Sequence, residues 1–584
     1  MTRESGTGFE MRETPKALDG FAPFAEATLA EWRVPGAAIA VVKDGAVIYA
    51  RGFGLRDVAR GLEATPRTTF AIASATKAFT TLALAILVDE GLLDWDRPVR
   101  AYLPSFALYD PVATERLTPR DLVTHRSGLP AHDLMPFNSP YSRREIVARL
   151  RCLPPSRDMR SAWQYQNLTY IAAGYLIEHL TGLTWERFVA ERIFGPLSME
   201  HSTLSVEDLI GASDRALPYG MGPAGVAEVP ASDLTAIGPA GAINSTVEDM
   251  ARWLLLHLGD GRHGDRRIVS AGRLADLHAP QMVMEYGDKL STLYDEAPYS
   301  SYGMGWFVQP YRGHDMLHHG GNIDGFSAMA ALLPRKSIGV VVLSNLSDNP
   351  APLLLTLDVV DRLLGLELAP WAVRARDAAS DAARAAERAG DLRKEDQVGG
   401  TAASHDLDAY AGDYEHPGYG VMSILRDGAA LTATYNGEVF ALPHYHYDVF
   451  ELVGGPFASP PRVVFSTDHT GAVESLSVPF EPTVPDIVFV RRASAEARSR
   501  AVLDRFTGEY TLLGLAVAVT LGAEETLTIT LPGQPAYALT PRTGTRFHAP
   551  GFSSLDVTFT TDDSGAVTGA LISQQTGVFM AVRR

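Results

Sequence analysis

The stretch Phe70-Ala-Ile-Ala-Ser74-Ala-Thr-Lys77 stands directly before an apolar run that ends at Gly91. Alanine, leucine and isoleucine recur at helical spacing through this run, so the sequence predicts a helix from Ser74 to about Gly91. Residues three apart lie on one face of a helix, and the side chains of Ser74 and Lys77 are therefore expected to be in contact. A bare serine–x–x–lysine match arises about once by chance in a chain this long, and Ser74 could equally be a helix N-cap.

The same pair also has a chemical interpretation. Burial disfavours the charged form of a lysine and lowers its pKa, so that the neutral amine can take a proton from a serine hydroxyl. A helix N-terminus also directs backbone N–H groups and positive potential towards an oxyanion that develops there. Ser74 and Lys77 alone do not decide between a nucleophile with its base and an ordinary helix start.

Two predicted hairpins lie on either side of this run. Residues 36–53 contain two short β-rich segments joined through Lys43-Asp44-Gly45, and Asp-Gly is a strong turn signal. Residues 328–344 form a second such pattern around Pro334-Arg-Lys-Ser. With helices between the hairpins, we predict an α+β domain over residues 20–372, in which the first and last strands share one antiparallel sheet. A tail of residues 1–19 precedes this domain.

The rest of the chain has a different character. Residues 373–404 are rich in alanine and charge and are predicted to be an exposed helix and linker. Beyond them, Leu407-Asp-Ala-Tyr-Ala-Gly-Asp-Tyr414 returns as Leu503-Asp-Arg-Phe-Thr-Gly-Glu-Tyr510. Both copies carry short alternating strands with Gly, Asp and Pro turns, which predicts two small antiparallel β-barrels over residues 405–495 and 496–584.

Composition narrows the class of protein. The chain has 584 residues, a formal net charge of −18 and one cysteine, Cys152. The acidic balance argues against a nucleic-acid partner, because phosphate binding needs a basic surface. One cysteine allows no intramolecular disulfide. Without a membrane-length apolar run or an apolar signal segment, the protein is expected to be cytoplasmic with no membrane partner.

Two further short motifs could complete a site with the serine and the lysine. Tyr165-Gln-Asn167 precedes an apparent helix, where tyrosine and asparagine are commonplace. Leu317-His-His-Gly-Gly-Asn322 enters the last hairpin, and its glycines could permit a turn or a bulge or let a substrate backbone approach a strand edge. Neighbouring histidines on a strand face opposite ways and no third ligand accompanies them, so neither a metal nor a cofactor is expected.

Taken in order, S-x-x-K, Y-x-N about 90 residues later and H-x-G before the last hairpin resemble the penicillin-recognising serine hydrolase superfamily. This superfamily includes class C β-lactamases, D,D-carboxypeptidases, D-aminopeptidases, related esterases and peptide cyclases of penicillin-binding-protein type. The resemblance covers residues 20–365 and extends to Val34-Pro-Gly36, to residues 117–130 and to Tyr302-Gly-Met-Gly-Trp306. It implies a β-lactamase-like domain in which an antiparallel sheet is flanked by a helical subdomain.

The resemblance also implies a role for each motif residue. Ser74 would be the acylated nucleophile and Lys77 its proton acceptor. Tyr165 would pass a proton to the leaving group and then activate the deacylating water, which is favoured if a nearby cation lowers its pKa. Asn167 would hydrogen-bond the acyl side of the substrate. The backbone N–H of Ser74 and one from the strand after H-x-G would form the oxyanion hole.

The third motif departs from the Lys-Thr-Gly of β-lactamases, and two registers fit it, His318-His-Gly and His319-Gly-Gly. Counted back from Gly325-Phe326, the usual gap in the family favours His319 as the catalytic histidine. Gly321 is then the motif glycine, Asn322 the second oxyanion donor, and His318 a further candidate for substrate binding. Histidine is largely neutral at pH 7, and the loss of a permanent cation weakens the case for a β-lactam substrate.

The expected function is hydrolysis of a small amide or ester, with a short peptide that contains D-residues favoured. H-x-G is common among D-aminopeptidases, esterases and peptide cyclases, and a catalytic domain followed by two barrels resembles D-stereospecific aminopeptidases. In those enzymes a barrel loop narrows the cleft, and Pro443-His-Tyr-His-Tyr-Asp448 is a candidate for such a lid or else an ordinary surface hairpin. Cyclisation or transacylation, an esterase, and a catalytically inactive peptide-sensing protein stay open. A small molecule or short peptide is the expected partner, and a homodimer is compatible with the sequence.

Overall fold

The computed structural model describes residues 11–222, 224–285, 293–294, 297–455, 457, 459–469, 471–494, 496–522, 526–542, 544–549, 555–574 and 576–584, apart from the side chain of Lys394. Internal contacts divide the chain into two units. The first comprises Met1–Glu395 together with Glu481–Val484, and the second comprises Asp396–Phe480 and Pro485–Arg584. Of the predicted tail of residues 1–19, residues 1–10 lie outside the described residues.

The first unit mixes helices and strands. Its α-helices are α1 Phe21–Glu31, α2 Thr76–Asp89, α3 Pro111–Arg116, α4 Pro119–Leu122, α5 Arg143–Arg149, α6 Leu168–Thr181, α7 Trp185–Val189, α8 Gly195–Leu197, α9 Val206–Gly211, α10 Gly238–Gly241, α11 Val247–Leu258, α12 Ala271–His278, α13 Ala351–Leu364 and α14 Trp371–Glu395. Short 3₁₀ segments are Lys16–Leu18, Ala73–Ala75, Val99–Ala101, Leu150–Cys152 and Pro334–Lys336, and Ala190–Phe194 is a π-helical turn.

The strands of the first unit are β1 Gly36–Lys43, β2 Ala46–Asp57, β3 Leu62–Glu63, β4 Phe70–Ala71, β5 Tyr219–Gly222, β6 Gly225–Glu228, β7 Asn244–Ser245, β8 Arg262–His263, β9 Arg266–Arg267, β10 Met282–Met284, β11 Ser300–Tyr302, β12 Phe307–Tyr311, β13 His314–Ile323, β14 Phe326–Leu333 and β15 Ile338–Ser344. Among the described residues, nine of them form one sheet in the order β10-β11-β12-β13-β14-β15-β1-β2-β3.

Neighbouring strands of this sheet run antiparallel. Both predicted hairpins are present, as β1–β2 and β14–β15. The predicted pairing of the first and last strands is also confirmed, because β1 lies against β15 with Ala37 opposite Ser344 and Lys43 opposite Ile338. The first and the last strand of the sheet in chain order are thus neighbours in it.

Helices cover both faces of the sheet. β1 is buried from Gly36 to Val42, which requires cover on both sides because alternate residues of a strand point to opposite faces. On one face, Ile39 and Val41 belong to an apolar core that includes residues of α1 and α13. On the other, Gly339 of β15 lies against Leu254 of α11.

Helix α2 is buried on all sides. Every residue from Thr76 to Leu87 is buried, as expected for a helix that is apolar all round. Phe79 stacks on Trp253 of α11 with ring centroids 3.7 Å apart. Gly305 approaches so closely that an added Cβ would lie 2.9 Å from the Cα of Ala78. The start of α2, where the serine and lysine lie, is therefore held rigidly from several directions.

Asp121 fixes the segment of residues 117–130. α4 begins with a reciprocal capping box between Thr118 and Asp121. The carboxylate of Asp121 is fully buried and also accepts hydrogen bonds from Arg126 and Arg160, each at 2.6 Å. A buried polar network whose members are all satisfied rigidifies the backbone around it.

The second unit consists mainly of strands, with the helix α15 Arg500–Leu503 and 3₁₀ segments at Leu407–Ala409 and Asp504–Phe506. The strands of its first half are β16 Gly412–His416, β17 Gly420–Asp427, β18 Ala430–Tyr435, β19 Glu438–Leu442, β20 His444–His446, β21 Val449–Glu451, β22 Arg462–Thr467, β23 Val473–Val478 and β24 Ile487–Arg491. Those of its second half are β25 Gly508–Leu512, β26 Leu515–Leu521, β27 Leu527–Thr530, β28 Ala536–Pro541, β29 Arg546–His548, β30 Asp556–Thr561, β31 Val567–Gln574 and β32 Gly577–Arg583.

The two predicted β-barrels are confirmed. β25 to β32 form a closed barrel, whereas β16 to β24 form one sheet that a bridge between Ala441 and Val453 nearly closes. The internal repeat is visible in a shared contact, since Tyr414 and Tyr510 each donate their hydroxyl to the backbone oxygen four residues earlier, at 2.8 Å. The lid candidate at residues 443–448 forms β20 and the turn into β21.

The alanine-rich residues after the predicted α+β domain are helical. α14 extends to Glu395, and Trp371 and Ala375 near its start belong to the apolar core of the first unit. The domain boundaries expected around residues 373, 405 and 496 remain predictions. None of the described helices combines the length and the hydropathy that crossing a membrane requires.

Candidate active site

Ser74 lies in the 3₁₀ segment that joins β4 to α2, rather than at the first turn of the helix as the spacing suggested. The N-cap position of α2 is Ala75, so Ser74 is not the capping residue of this helix. It is partly exposed, whereas its neighbours from Phe70 to Leu87 are buried. Ala73 before it has a φ of 45°, a left-handed conformation that costs roughly 1–3 kcal/mol in a non-glycine residue. The chain thus presents the Ser74 hydroxyl at a strained turn.

Lys77 is fully buried, and its Nζ points at three acceptors. The distances are 3.2 Å to Ser74 Oγ, 2.7 Å to Asn167 Oδ1 and 3.1 Å to the backbone oxygen of Ala240 in α10. Burial lowers the pKa of Lys77 to about 7, against a smaller opposing effect of the Asp133 carboxylate. A neutral amine has two hydrogens, which suit Asn167 and Ala240 and leave its lone pair for the Ser74 hydroxyl.

Tyr165 lies over the same lysine, with Lys77 Nζ 4.7 Å from the centre of its ring. Burial raises the pKa of Tyr165, and a hydrogen bond to Ser74 lowers it by less. The lowered pKa that would favour Tyr165 as a base is therefore not found, although Lys77 Nζ lies over its ring. Of these two groups, Lys77 is the one suited to take a proton and Tyr165 the one that has a proton to give.

Asn167 joins Lys77 to a carboxylate that sequence reasoning missed. Its Oδ1 accepts from Lys77, and its Nδ2 donates to Asp133 Oδ1 at 2.9 Å. Asp133 is partly exposed, and burial of its carboxyl group raises its pKa, with a smaller contribution from Glu481 of the same unit. Glu481 accepts a hydrogen bond from the backbone N–H of His132 at 3.1 Å. The site therefore has a carboxyl group beside Asn167, and burial works against its charged form.

The structure brings His319 to the site. Its Nε2 accepts from the hydroxyl of Tyr302 at 3.0 Å, and its Nδ1 donates to the backbone oxygen of Gly320 at 2.6 Å. Its ring lies 6.3 Å from that of Tyr165. Burial, followed by the positive charge of Lys77, lowers the pKa of His319 to about 3. His319 is therefore neutral, and its two ring nitrogens are engaged by the protein itself.

His318 and Asn322 lie differently. Alternate residues of β13 share a face, so these two lie on the face opposite His319 and Gly321. The ring of His318 stacks on Phe307 with centroids 5.2 Å apart. Asn322 is exposed, and its Oδ1 accepts from Ser327 at 2.7 Å. The predicted roles of His318 in substrate binding and of the Asn322 N–H in the oxyanion hole remain predictions.

Gly321 is where β13 approaches the serine segment most closely. A Cβ on Gly321 would lie 2.0 Å from the backbone oxygen of Ile72, whereas one on Gly320 would meet its nearest atoms at 3.5 Å. Only glycine permits the first approach, and the second is ordinary van der Waals contact. The strict requirement at Gly321 supports the register in which His319 is the motif histidine.

Several polar residues near the site carried little signal in the sequence. Asp133 is a single acidic residue in a loop, and Tyr302 stood out only as part of a connecting segment. Among the described residues, no group of three or more His, Cys, Asp or Glu side chains is arranged to hold a metal ion. What these side chains can do together is move a proton from a serine hydroxyl to a neutral lysine.

Comparison with known proteins gives two family matches. The model of the Beta-lactamase family matches residues 21–364, and a domain of unknown function, DUF3471, matches residues 396–491. Two curated relatives are unguisins hydrolases. UngD' of Aspergillus campestris is 33% identical over 365 residues, which cover 59% of this chain and 65% of that protein, slightly less than two thirds of its length. UngD of Aspergillus violaceofuscus is 28% identical over 512 residues, 80% of this chain and 89% of that protein.

Solved structures share the fold. The octameric penicillin-binding protein homologue from Pyrococcus abyssi has a TM-score of 0.54 at 24% identity, over 81% of this chain and 100% of that chain. The D-amino acid amidase from Ochrobactrum anthropi has a TM-score of 0.50 at 23% identity, over 60% of this chain and 98% of that chain. At these identities the likeness is one of fold.

Replacing Gly321 by alanine should lower kcat at least about 100-fold, because the new Cβ must push β13 away from the backbone before Ser74, and a displacement near 1 Å suffices for such a loss. Gly320→Ala on the same strand is the matched control and should keep kcat within about 3-fold. Steady-state kinetics on one activated ester measures both. Equal losses in the two variants would contradict the close approach.

The rate should rise with pH as Lys77 loses its proton. Its pKa is about 7, so below that pH the ammonium form predominates and cannot accept the Ser74 proton. For a substrate without ionisable groups, log(kcat/KM) should fall with a slope of about 1 per pH unit on the acid side. The pH profile of kcat/KM tests this, and Lys77→Arg, which stays charged, should be inactive at every pH. A flat profile from about pH 5 to 9 would refute the assignment.

Proposed function

The chain belongs to the Beta-lactamase family of serine hydrolases, and from that premise we propose that it cleaves a small amide or ester through an acyl-enzyme on Ser74. A short peptide that contains D-residues is the proposed substrate class. The observation that carries the proposal is the contact of 3.2 Å between Ser74 Oγ and the buried Nζ of Lys77, whose pKa is lowered to about 7. At neutral pH a substantial fraction of this lysine is an amine, able to accept the seryl proton.

In acylation, the Oγ–H bond of Ser74 breaks as its proton passes to Lys77. Oγ then bonds to the carbonyl carbon of the substrate. The bond from that carbon to the leaving nitrogen breaks, and the nitrogen takes the phenolic proton of Tyr165. The new lysine ammonium lies beside the new phenolate, and this opposite charge stabilises a form that burial alone disfavours.

In deacylation the protons return. A water molecule gives its proton to the Tyr165 phenolate and its oxygen attacks the acyl carbon. The bond from that carbon to Oγ breaks, and Ser74 recovers its proton from the ammonium of Lys77. This cycle consumes one water and restores every group, with Tyr165 acting first as acid and then as base.

Charge at the site supports a substrate with a free amine on the acyl side. The carboxylate of Asp133 is bound to Asn167 and partly exposed, so it can pair with an α-ammonium group, and charge-assisted hydrogen bonds are strong ones. His319 has a pKa of about 3 and offers no cation for a substrate carboxylate. Both features favour an aminopeptidase or amidase over a β-lactamase. The two hydrolase names among the curated relatives agree with this reaction class.

A fluorophosphonate probe should label Ser74, located by peptide mass spectrometry, and Ser74→Ala should remove the label. We expect a panel of substrates assayed side by side to rank D-aminoacyl amides above L-aminoacyl amides and nitrocefin. Product analysis with an added amine separates hydrolysis from acyl transfer. Absence of label at Ser74 would favour the non-catalytic, peptide-sensing alternative and overturn the proposal.

Asp133→Asn should lower kcat/KM about 10- to 100-fold for an aminoacyl amide with a free α-amine, the equivalent of losing a charged hydrogen bond of ~1.5–3 kcal/mol. The N-acetylated form of the same amide should change less than about 3-fold, because it carries no ammonium group. Asp96→Asn, which removes an exposed partner of Arg120, serves as a control and should affect neither. An equal loss for both substrates would mean that Asp133 acts on Asn167 instead of on the amine.

A further inference from the structure

His125 contacts the backbone on both sides of Tyr165. Its own backbone oxygen accepts the N–H of Gln164 at 2.8 Å, and its ring Nδ1 accepts the N–H of Gln166 at 3.3 Å. Between these two bonds, the imidazole lies against the ring of Tyr165, with centroids 4.4 Å apart and planes 38° apart. One residue thus binds the chain before Tyr165, the chain after it and its side chain.

The imidazole itself is held by packing. His125 is fully buried, and its ring also contacts the rings of Tyr302 at 4.6 Å and Tyr170 at 5.3 Å. Because Nδ1 accepts a backbone N–H, the hydrogen of the neutral ring is on Nε2. In the part of the chain that the structure describes, Nε2 has no hydrogen-bond partner. A ring so enclosed does not exchange protons with a substrate, which leaves it a role in geometry.

The backbone of His125 is itself held in place by the segment around it. It has a left-handed φ of 55°, in the segment that Asp121 anchors through Arg126. The same segment makes further bonds to the strand of chain that carries Tyr165, since Arg160 N–H donates to Arg126 O at 2.7 Å and Gln166 Nε2 donates to Ser127 Oγ at 2.8 Å. Residues 125–127 therefore hold residues 160–166 in place through these hydrogen bonds.

We propose that His125 is the positioning residue of Tyr165, holding the phenol at the distance from Ser74 at which it can pass its proton to the leaving group. The inference rests on the proposed function in one respect, that Tyr165 takes part in the chemistry. It gives a role to residues 117–130, which the sequence marked as similar to a family but to which no function was attached. A tyrosine that swings about 1 Å from its productive place loses on the order of 100-fold in rate.

The test is a double-mutant cycle between His125→Ala and Tyr165→Phe. His125→Ala should lower kcat for an aminoacyl amide about 10- to 100-fold and change KM less than about 3-fold. In the Tyr165→Phe background it should cost less than about 3-fold more, because the group that it positions is already gone. Acylation by a p-nitrophenyl ester, whose leaving group departs without a proton, should be affected far less than acylation by the amide.

Two further variants separate positioning from general loss of stability. His125→Asn keeps an acceptor for the Gln166 N–H and tolerates a left-handed φ, so it should recover part of the lost kcat. His257→Asn alters another fully buried histidine, packed against Trp253 and Trp306. It should lower the melting temperature yet leave kcat per labelled Ser74 unchanged. Labelling by the fluorophosphonate counts the folded sites in every variant.

The possible results distinguish failure of the positioning role of His125 from failure of the proposed function. Losses that multiply in the double mutant, or equal losses for the ester and the amide, would overturn the positioning role while leaving the proposed function intact. Wild-type kcat in His125→Ala would do the same. If Tyr165→Phe alone retains full activity, Tyr165 is not part of the chemistry and the positioning role fails, whereas the proposed acyl-enzyme on Ser74 fails only if the fluorophosphonate leaves Ser74 unlabelled.

Discussion

The burial of Lys77 is the constraint on which the rest of the site depends. Removing an ammonium group from water costs several kcal/mol unless other groups compensate it. The fall in its pKa from 10.5 to about 7 corresponds to roughly 5 kcal/mol in favour of the neutral amine. No carboxylate among the described residues forms an ion pair with Lys77. The amide of Asn167 stands between Lys77 and Asp133, and a direct contact with that carboxylate would keep the lysine charged and useless as a base.

The fold supplies this environment by making four separate elements meet. α2 is apolar all round and carries Lys77 inside the domain, α10 offers the oxygen of Ala240, and the start of α6 offers Asn167. β13 completes the enclosure, since its Gly321 lets the strand touch the backbone before Ser74. Each element is buried for its own packing reasons. Where these elements meet, the oxygens of Ser74, Asn167 and Ala240 surround the Nζ of Lys77, and this arrangement allows the proton transfer.

The sequence predicted the local features of this arrangement and missed those that depend on distant contacts. Hairpins, the buried helix, the repeated barrels and the ordered motifs each have a short-range pattern, so they could be found by inspection. Asp133 and His125 contact residues 30 to 40 positions away in the chain. Nothing in the sequence around Asp133 marks it out, and His125 stood out only as part of the segment of residues 117–130. The direction in which the pKa of Tyr165 shifts also depends on a balance between burial and a hydrogen bond to Ser74 that no spacing reveals. Helix α2 begins two residues later than predicted because Ser74 belongs to the strained turn instead of the helix.

The pairing of β1 with β15 has a consequence for how the protein is made. These partners are about 300 residues apart, since Ala37 lies opposite Ser344. At 5–20 residues per second, a ribosome needs roughly 15 to 60 seconds to produce the second strand after the first. During that time α2 has already emerged with its apolar surface uncovered, because Trp253 of α11 and Gly305, which pack against it, come much later in the chain. Folding of the first unit must therefore wait for its last strand, and chaperones have a long interval in which to bind.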